Sequence, residues 1–152
     1  MMAKSDEPLS SARSHPAEGL ISMIGLLPLP GSPGYGGSIH PIVERAIRDA
    51  ELYQENGTEA LLIENSGDLP YIKPPLPQEA IAAVEAVAHA LRARFPEPIG
   101  LQLLEAANEQ AMEVAARAGL DFLRVEGYVF AHIGGAGLIE GCAGRLLRLR
   151  RE

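Results

Sequence analysis

Residues 60–71 read ALLIENSGDLPY, an apolar run that ends in polar and turn-forming side chains. A short, nearly continuous apolar run is typical of a parallel strand whose two faces are both covered. Residues 20–27, 99–104 and 122–125 form three further runs of the same character. The sequence therefore predicts four buried strands.

Segments with helical spacing separate these runs. Apolar residues recur every three or four positions in residues 39–53, 78–95 and 109–118, and a fourth helix is predicted from about residue 138 to the chain end. Strict alternation of strand and helix predicts a parallel α/β sheet with right-handed crossovers. A doubly wound sheet and part of a (β/α)8 barrel both remain open, because a closed barrel needs eight strands and about 250 residues.

Composition excludes several classes of protein. The 152 residues carry a formal net charge of −7, which argues against a nucleic-acid-binding surface. A disulfide framework and a thiolate zinc site are excluded because Cys142 is the single cysteine. The sequence contains no apolar run of about 18 residues that could span a membrane. Residues 1–19 are interpreted as a disordered leader, and residues 20–152 are expected to form the folded part. The leader lacks the features of a secretory signal, so a cytoplasmic location is expected.

Polar side chains follow the second predicted strand directly. Glu64, Asn65 and Asp68 lie where ligands bind in α/β folds, beyond the carboxyl end of a strand. Two carboxylates and an amide could ligate a hard cation such as Mg²⁺ or act as general acid and base. The alternative is a cluster that forms a turn and caps a helix.

The third and fourth strands carry further polar residues. Gln102 lies within the third apolar run, and Arg124 and Glu126 share one face of the fourth. Buried charges must be paired, so Arg124 is expected to pair with Glu126, Glu64 or both. Such an arginine either forms a structural ion pair or binds an anion. We expect these charged groups to converge at a common rim, where the parallel strands end.

Two loops complete the set of candidates. Residues 28–37 are rich in proline and glycine, and backbone amides near Gly31 could approach an anion, although the loop could equally be a stiff connection. His132 lies beside three glycines and could act as a general acid or base near neutral pH, or be simply solvated.

Three motifs together resemble the BtpA/SgcQ family: LLPLPGSP at residues 26–33, ENSGDLPY at 64–71 and GLIEG at 137–141. The resemblance runs in order over residues 20–151. It implies a TIM-barrel-type (β/α)8 fold of the ribulose-phosphate-binding type, of which four βα units, the N-terminal half, are present. Departures from the family pattern at Gly25, Glu105 and Glu126 lie at the expected active face, and we expect them to mark a subgroup with its own substrate.

The resemblance and the polar residues together predict the function. The chain is expected to bind or convert a small phosphorylated sugar or nucleoside-like metabolite at the carboxyl ends of the strands. The alternative is a non-catalytic accessory factor for assembly or stability of a protein complex, as in photosystem I biogenesis. The predicted catalytic residues are Glu64, Asp68 and Glu126, and the predicted ligand-binding residues are Asn65, Gln102, Arg124, His132 and Gly31.

A half barrel leaves two sheet edges and the inner face uncovered. Two copies could close one barrel, the chain could be truncated, or the sheet could persist as a marginally stable monomer. Truncation is favoured because the predicted fourth helix runs into the chain end without a cap. The isolated chain is expected to dimerise or aggregate.

Overall fold

The computed structural model describes residues 19–151, so the predicted leader lies outside the described residues except for Gly19. Its main feature is a four-stranded parallel sheet in the order β1-β2-β3-β4. This confirms the prediction of four parallel strands alternating with helices. The strands are Ile21–Gly25 (β1), Ala60–Glu64 (β2), Ile99–Gln102 (β3) and Phe122–Leu123 (β4).

Helices occupy the predicted segments between the strands. Pro41 lies in the first turn of the first helix, where its missing N–H costs no hydrogen bond. Gly119 ends the third helix with φ +67°, a left-handed cap that glycine adopts readily. The helices are His40–Glu55 (α1), Gln78–Arg92 (α2), Asn108–Ala118 (α3) and Ala143–Leu149 (α4).

The order of the strands shows how the described part of the sheet is wound. A doubly wound sheet reverses its strand order to place helices on both faces, whereas the order seen here proceeds in one direction. Right-handed crossovers in one direction place consecutive helices on the same face. Ile24, Ile63 and Leu101 are fully buried in the core on that face, together with residues from α1, α2 and α3. Within residues 19–151 the sheet is therefore wound in one direction only.

We term the face of the sheet opposite α1, α2 and α3 its inner face. Ile21, Met23 and Gly25 of β1 lie there, since side chains alternate along a strand and Ile24 faces the helices. The ring of Phe122 fills the space above Gly100 of β3, where an added Cβ would lie 2.2 Å from a ring carbon. No helix of residues 19–151 covers this face near β1, and Ile21 and Met23 are 41% and 43% exposed.

The segment after β4 differs from the prediction. Residues Phe122 and Leu123 alone form the strand, and the helix predicted from about residue 138 is wrong at its start. An antiparallel hairpin of His132–Gly134 (β5) and Gly137–Ile139 (β6) precedes α4. Gly137 adopts φ +111°, which makes the tight turn possible. Cys142 lies at the N-terminal cap of α4.

The helices described for residues 19–151 include none with the length and apolar character that crossing a bilayer requires.

Candidate functional site

One row of side chains crosses the inner face at the carboxyl ends of the strands. Gly25 pairs in register with Glu64, and Glu64 with Gln102. Arg124 continues the row beyond β4, because its N–H donates to the carbonyl of Leu101 at 3.1 Å. Parallel strands thus bring residues that are far apart in sequence to one level of the sheet.

Glu64 and Arg124 form an ion pair across this row. Nη1 of Arg124 lies 3.7 Å from Oε2 of Glu64, so the arginine spans the strand that carries Gln102. Burial raises the pKa of Glu64; the positive charge of Arg124 opposes this effect and the negative charge of Glu126 adds to it. The expected pairing of Arg124 is therefore found with Glu64.

Gln102 has an unsatisfied side chain. The residue is only 6% exposed, and its Oε1 atom is buried without a hydrogen-bond partner among the described residues. Buried amide oxygens are almost always bonded in native proteins, so each exception needs an explanation. A hydroxyl or amine donor of a ligand can satisfy this oxygen if the Gln102 side chain turns so that the oxygen becomes accessible.

Glu126 lies in the loop after β4 and is held from several sides. Its Oε2 accepts the N–H of Ala106 at 3.0 Å, and its Oε1 is 3.5 Å from Nε2 of His132. The side chain of Asn108 bonds to the backbone of Glu126 as both donor and acceptor. The structure therefore brings Glu126 and His132 together beside the row.

Glu105 joins the loop after β3 to the hairpin. This residue is buried, and its two carboxylate oxygens accept the N–H groups of Gly135 and Ala136, both at 2.9 Å. The hairpin turn is thereby fastened at the carboxyl end of the sheet. The predicted site residues omit Glu105 and Asn108, and their position in the segment that joins the carboxyl end of β3 to the start of α3 is the signal that could have identified them.

Asn65 and Asp68 bind the protein's own backbone. Oδ1 of Asn65 accepts the N–H of Leu104 at 2.8 Å, and Oδ1 of Asp68 accepts the N–H of Leu29 at 3.2 Å. Both oxygens therefore connect the loop after β2 to another loop that is distant in sequence. The assignment of Asn65 to ligand binding and of Asp68 to catalysis stays a prediction.

Gly31 lies away from the polar row. The nearest side chains to a Cβ added there belong to Pro77 and Glu79, at 3.6 Å each. By contrast, a Cβ added to Gly25 would lie 2.6 Å from Oγ of Ser66. Ser66 therefore places a hydroxyl at the end of the row beside Glu64, a position that the sequence did not indicate.

Tyr71 is a further residue near the site that was not predicted from the sequence. Its hydroxyl donates to the carbonyl of Ser66 at 2.9 Å. Burial raises its pKa, and the negative charges of Glu64, Glu105 and Asp68 raise it further. The phenol thus stays protonated beside these carboxylates and keeps its single O–H bonded to Ser66.

The carboxylates are not clustered as metal ligands. Within residues 19–151, no group of three or more His, Cys, Asp or Glu side chains is arranged to hold a metal ion. A divalent cation at Glu64 would need additional oxygen ligands from water or from a bound molecule. Mg²⁺ therefore stays a prediction that depends on the ligand.

Known proteins resemble this chain over most of its length. An uncharacterized mitochondrial protein of Caenorhabditis elegans is 37% identical over 86% of the chain and 49% of its own length. An uncharacterized protein of Pyrococcus abyssi is 41% identical over 86% of the chain and 50% of its own length. The photosystem I biogenesis protein BtpA of Synechocystis is 32% identical over 88% of the chain and 46% of its own length. No solved structure matches the chain.

The chain therefore spans about half the length of the curated relatives that it matches. A sequence model described as the BtpA family matches residues 16–152, which include the polar row and the hairpin. The chain belongs to the BtpA family.

Proposed function

We propose that this chain forms half of a (β/α)8 barrel and that its polar row binds a small phosphorylated sugar or nucleoside-like metabolite. Winding in one direction is consistent with a barrel segment, since α1, α2 and α3 pack on one face of the sheet and the inner face is left for the barrel interior. Relatives of about twice the length are consistent with eight units in the complete fold.

The observation that carries the binding proposal is the unsatisfied oxygen of Gln102. A carboxamide oxygen accepts hydrogen bonds, so its ligand must present a donor. Glu64, next to it in the row, can accept further hydroxyl donors when ionised. Neighbouring acceptors at one level of the sheet suit a polyol such as a sugar.

Arg124 supplies the complementary charge. Its side chain is 61% exposed, so the guanidinium can meet an anionic group of a ligand while its Nη1 stays near Glu64. A guanidinium forms two parallel hydrogen bonds with a phosphate. A molecule that carries hydroxyl groups and a phosphate therefore matches the row better than a neutral sugar does.

Glu64 is the residue best suited to proton transfer. Its raised pKa brings the carboxyl group closer to neutral pH, where a general acid or base works most efficiently. If the chain converts its ligand as well as binding it, we assign the proton transfer to Glu64, with Glu126 and His132 as a second acid–base pair 3.5 Å apart.

The test is a thermal-shift measurement of the purified chain with pentose and hexose phosphates, the same sugars without phosphate, and inorganic phosphate. We expect at least one sugar phosphate to raise the melting temperature more than the same sugar without phosphate or inorganic phosphate does. Glu64→Gln and Arg124→Gln should abolish that rise. Failure of every compound to shift the melting temperature would contradict the proposal.

Arg94→Gln is the matched control. Arg94 is 57% exposed and lies 3.6 Å from Glu51, so it matches Arg124 in exposure and in distance to its partner, although Glu51, unlike Glu64, is exposed. This variant should keep the full ligand-induced rise. Equal loss in both arginine variants would show that charge alone, and not the site, governs the response.

An accessory role in the assembly of a protein complex is the second candidate. One relative is named a photosystem I biogenesis protein, and the loop and hairpin after β4 expose apolar side chains. Exposed apolar patches commonly mark protein–protein contacts. This role becomes the better explanation if neither the metabolites nor Mg²⁺ shifts the melting temperature. The exposed side chains are Tyr128, Val129, Phe130, Ile133 and Leu138.

A further inference from the structure

We propose that residues 132–139, which we call the strap, open and close over the row of Glu64, Gln102 and Arg124, and that the carboxylate of Glu105 is the latch that holds the strap closed. The strap comprises β5, β6 and the turn between them. Its role as the cover of a ligand site rests on the proposed function. Its movement is a property of the fold and can be measured without a ligand.

The strap begins beside β4 and crosses the end of β3. At its base, Nε2 of His132 lies 3.5 Å from Oε1 of Glu126, in the loop after β4. Its turn reaches the loop after β3, where the two carboxylate oxygens of Glu105 accept the N–H groups of Gly135 and Ala136. Glu105 follows the last residue of β3 by three positions, so the turn lies close to the point where this strand ends.

The turn extends as far as the loop after β2. A Cβ added to Gly135 would lie 3.9 Å from Cδ2 of Tyr71. The pKa of Tyr71 is raised first by burial and next by the negative charge of Glu64, so its phenol lies near the row. The strap therefore crosses the same three strands as the row of Glu64, Gln102 and Arg124. All of these contacts are made within residues 71–139.

The latch consists of a single buried carboxylate. Glu105 is 7% exposed, and among the described residues the hydrogen bonds that join the turn to another segment both end on its oxygens. Hydrogen bonds to an ionised group are strong, and a buried charge needs them. A Cβ added to Gly135 would lie 2.9 Å from Oε1 of Glu105, so glycine is what allows the turn to approach this closely.

The base of the strap is attached separately from its turn. Ile139 is 4% exposed, and its Cγ2 would lie 2.5 Å from a Cβ added to Gly127. A hairpin of two three-residue strands is only marginally stable by itself. Release of Glu105 therefore frees the turn, while Ile139 keeps the base in place. Such local opening costs less free energy than unfolding of the sheet.

The experiment measures how fast a thiol in the row reacts with methyl methanethiosulfonate, a small neutral reagent. Gln102→Cys is made in a Cys142→Ser background, so that residue 102 carries the only thiol of the chain. Gln102 is 6% exposed, so the reagent must wait for an opening. We expect Glu105→Gln to accelerate labelling about tenfold, because one of the two hydrogen bonds of the latch is lost.

A second variant releases the latch from the other side. Gly135→Ala adds a methyl group against Oε1 of Glu105 and should also accelerate labelling, which carries the test if Glu105→Gln fails to fold. Gly36→Ala is its matched control, because nothing lies within 4 Å of a Cβ added there. Glu109→Gln, which removes a charge from an exposed ion pair, is the control for Glu105→Gln. Neither control should change the labelling rate.

Leu62→Cys in the same background separates opening of the strap from loosening of the sheet. Leu62 is 5% exposed and lies two residues before Glu64 on the same face of β2, farther from the strand ends. Its labelling should stay unchanged in both latch variants. Equal acceleration at residues 62 and 102, or unchanged labelling of residue 102 in a latch variant that circular dichroism shows to be folded, would overturn the proposal.

The labelling result is independent of the thermal-shift test, because no metabolite is present. Accelerated labelling without any metabolite-induced shift would support the strap and contradict the ligand site. A metabolite-induced shift with unchanged labelling would support the ligand site and contradict the strap.

Discussion

The side chain of Asn108 forms two hydrogen bonds with the backbone of Glu126, one as a donor and one as an acceptor. Nδ2 of Asn108 donates to the backbone carbonyl of Glu126 at 2.7 Å, and the N–H of Glu126 donates to Oδ1 of Asn108 at 3.2 Å. Asn108 is buried at the start of α3, so the helix fixes the loop after β4. Through this link the carboxylate of Glu126 is positioned beside His132.

The first prediction concerns that link. Asn108→Ala removes both hydrogen bonds and leaves backbone groups of Glu126 unsatisfied, so we expect a loss of about 1–3 kcal/mol in the free energy of unfolding. Urea denaturation measures the change. Glu113→Ala on the exposed side of the same helix should cost less than about 0.5 kcal/mol. Equal losses in the two variants would contradict a specific role for Asn108.

The sheet and the first three helices could be predicted from the sequence because their patterns have few alternatives. Buried parallel strands produce continuous apolar runs, and helices packed on one face produce a spacing of three or four. The hairpin could not be predicted, since Leu138, Ile139 and Cys142 happen to follow helical spacing as well. Glycines at 134, 135 and 137 were the competing signal for a turn.

The candidate site could be predicted only in part. Residues at the ends of strands must meet in a parallel sheet, so the row of Glu64, Gln102 and Arg124 follows from the strand assignments. The partners of Asn65 and Asp68 do not follow, because a side-chain oxygen can bind a ligand or a backbone N–H equally well. Only the loop geometry separates these two possibilities.

The second prediction tests the packing of the inner face. Gly100→Ala places a methyl group within 2.6 Å of three ring carbons of Phe122, which must move to accommodate it. We expect a loss of about 1–3 kcal/mol in the free energy of unfolding. Gly36→Ala should be nearly neutral, because nothing lies within 4 Å of a Cβ added there.

A double-mutant cycle checks that the ring is the cause. Phe122→Leu removes the clash, so Gly100→Ala should cost less in that background than in the wild-type chain. Strictly additive losses would show that another contact of Gly100 is responsible.

The third prediction concerns the attachment of the hairpin. Glu105→Gln replaces one of two acceptor oxygens with a donor, so Gly135 and Ala136 cannot both keep their hydrogen bonds. Amide exchange at the turn should accelerate, while that of α1 stays unchanged. Glu109→Gln, which removes a charge from an exposed ion pair with Arg145, should leave exchange at the turn unaltered. Unchanged protection in the Glu105 variant would contradict the attachment.

The fourth prediction is a pH dependence of opposite sign for two glutamates. Burial raises the pKa of Glu64, so the fold favours its neutral form. Its contribution to stability is present below the ordinary glutamate pKa of about 4.3 and is lost as pH rises through the raised value. The hydrogen bond from Arg117 lowers the pKa of Glu85, so the contribution of Glu85 is present above the ordinary value and is lost as pH falls through the lowered one.

Melting temperatures between about pH 3 and pH 8 measure both effects against variants that do not titrate at these positions. Relative to Glu64→Gln, the wild-type chain should become less stable as pH rises, whereas relative to Glu85→Gln it should become more stable. Arg124→Gln should steepen the first trend, because removing the positive charge leaves the ionised Glu64 without its ion-pair partner. A wild-type chain that gains stability relative to Glu64→Gln with rising pH would mean that the ion pair with Arg124 outweighs the burial of Glu64.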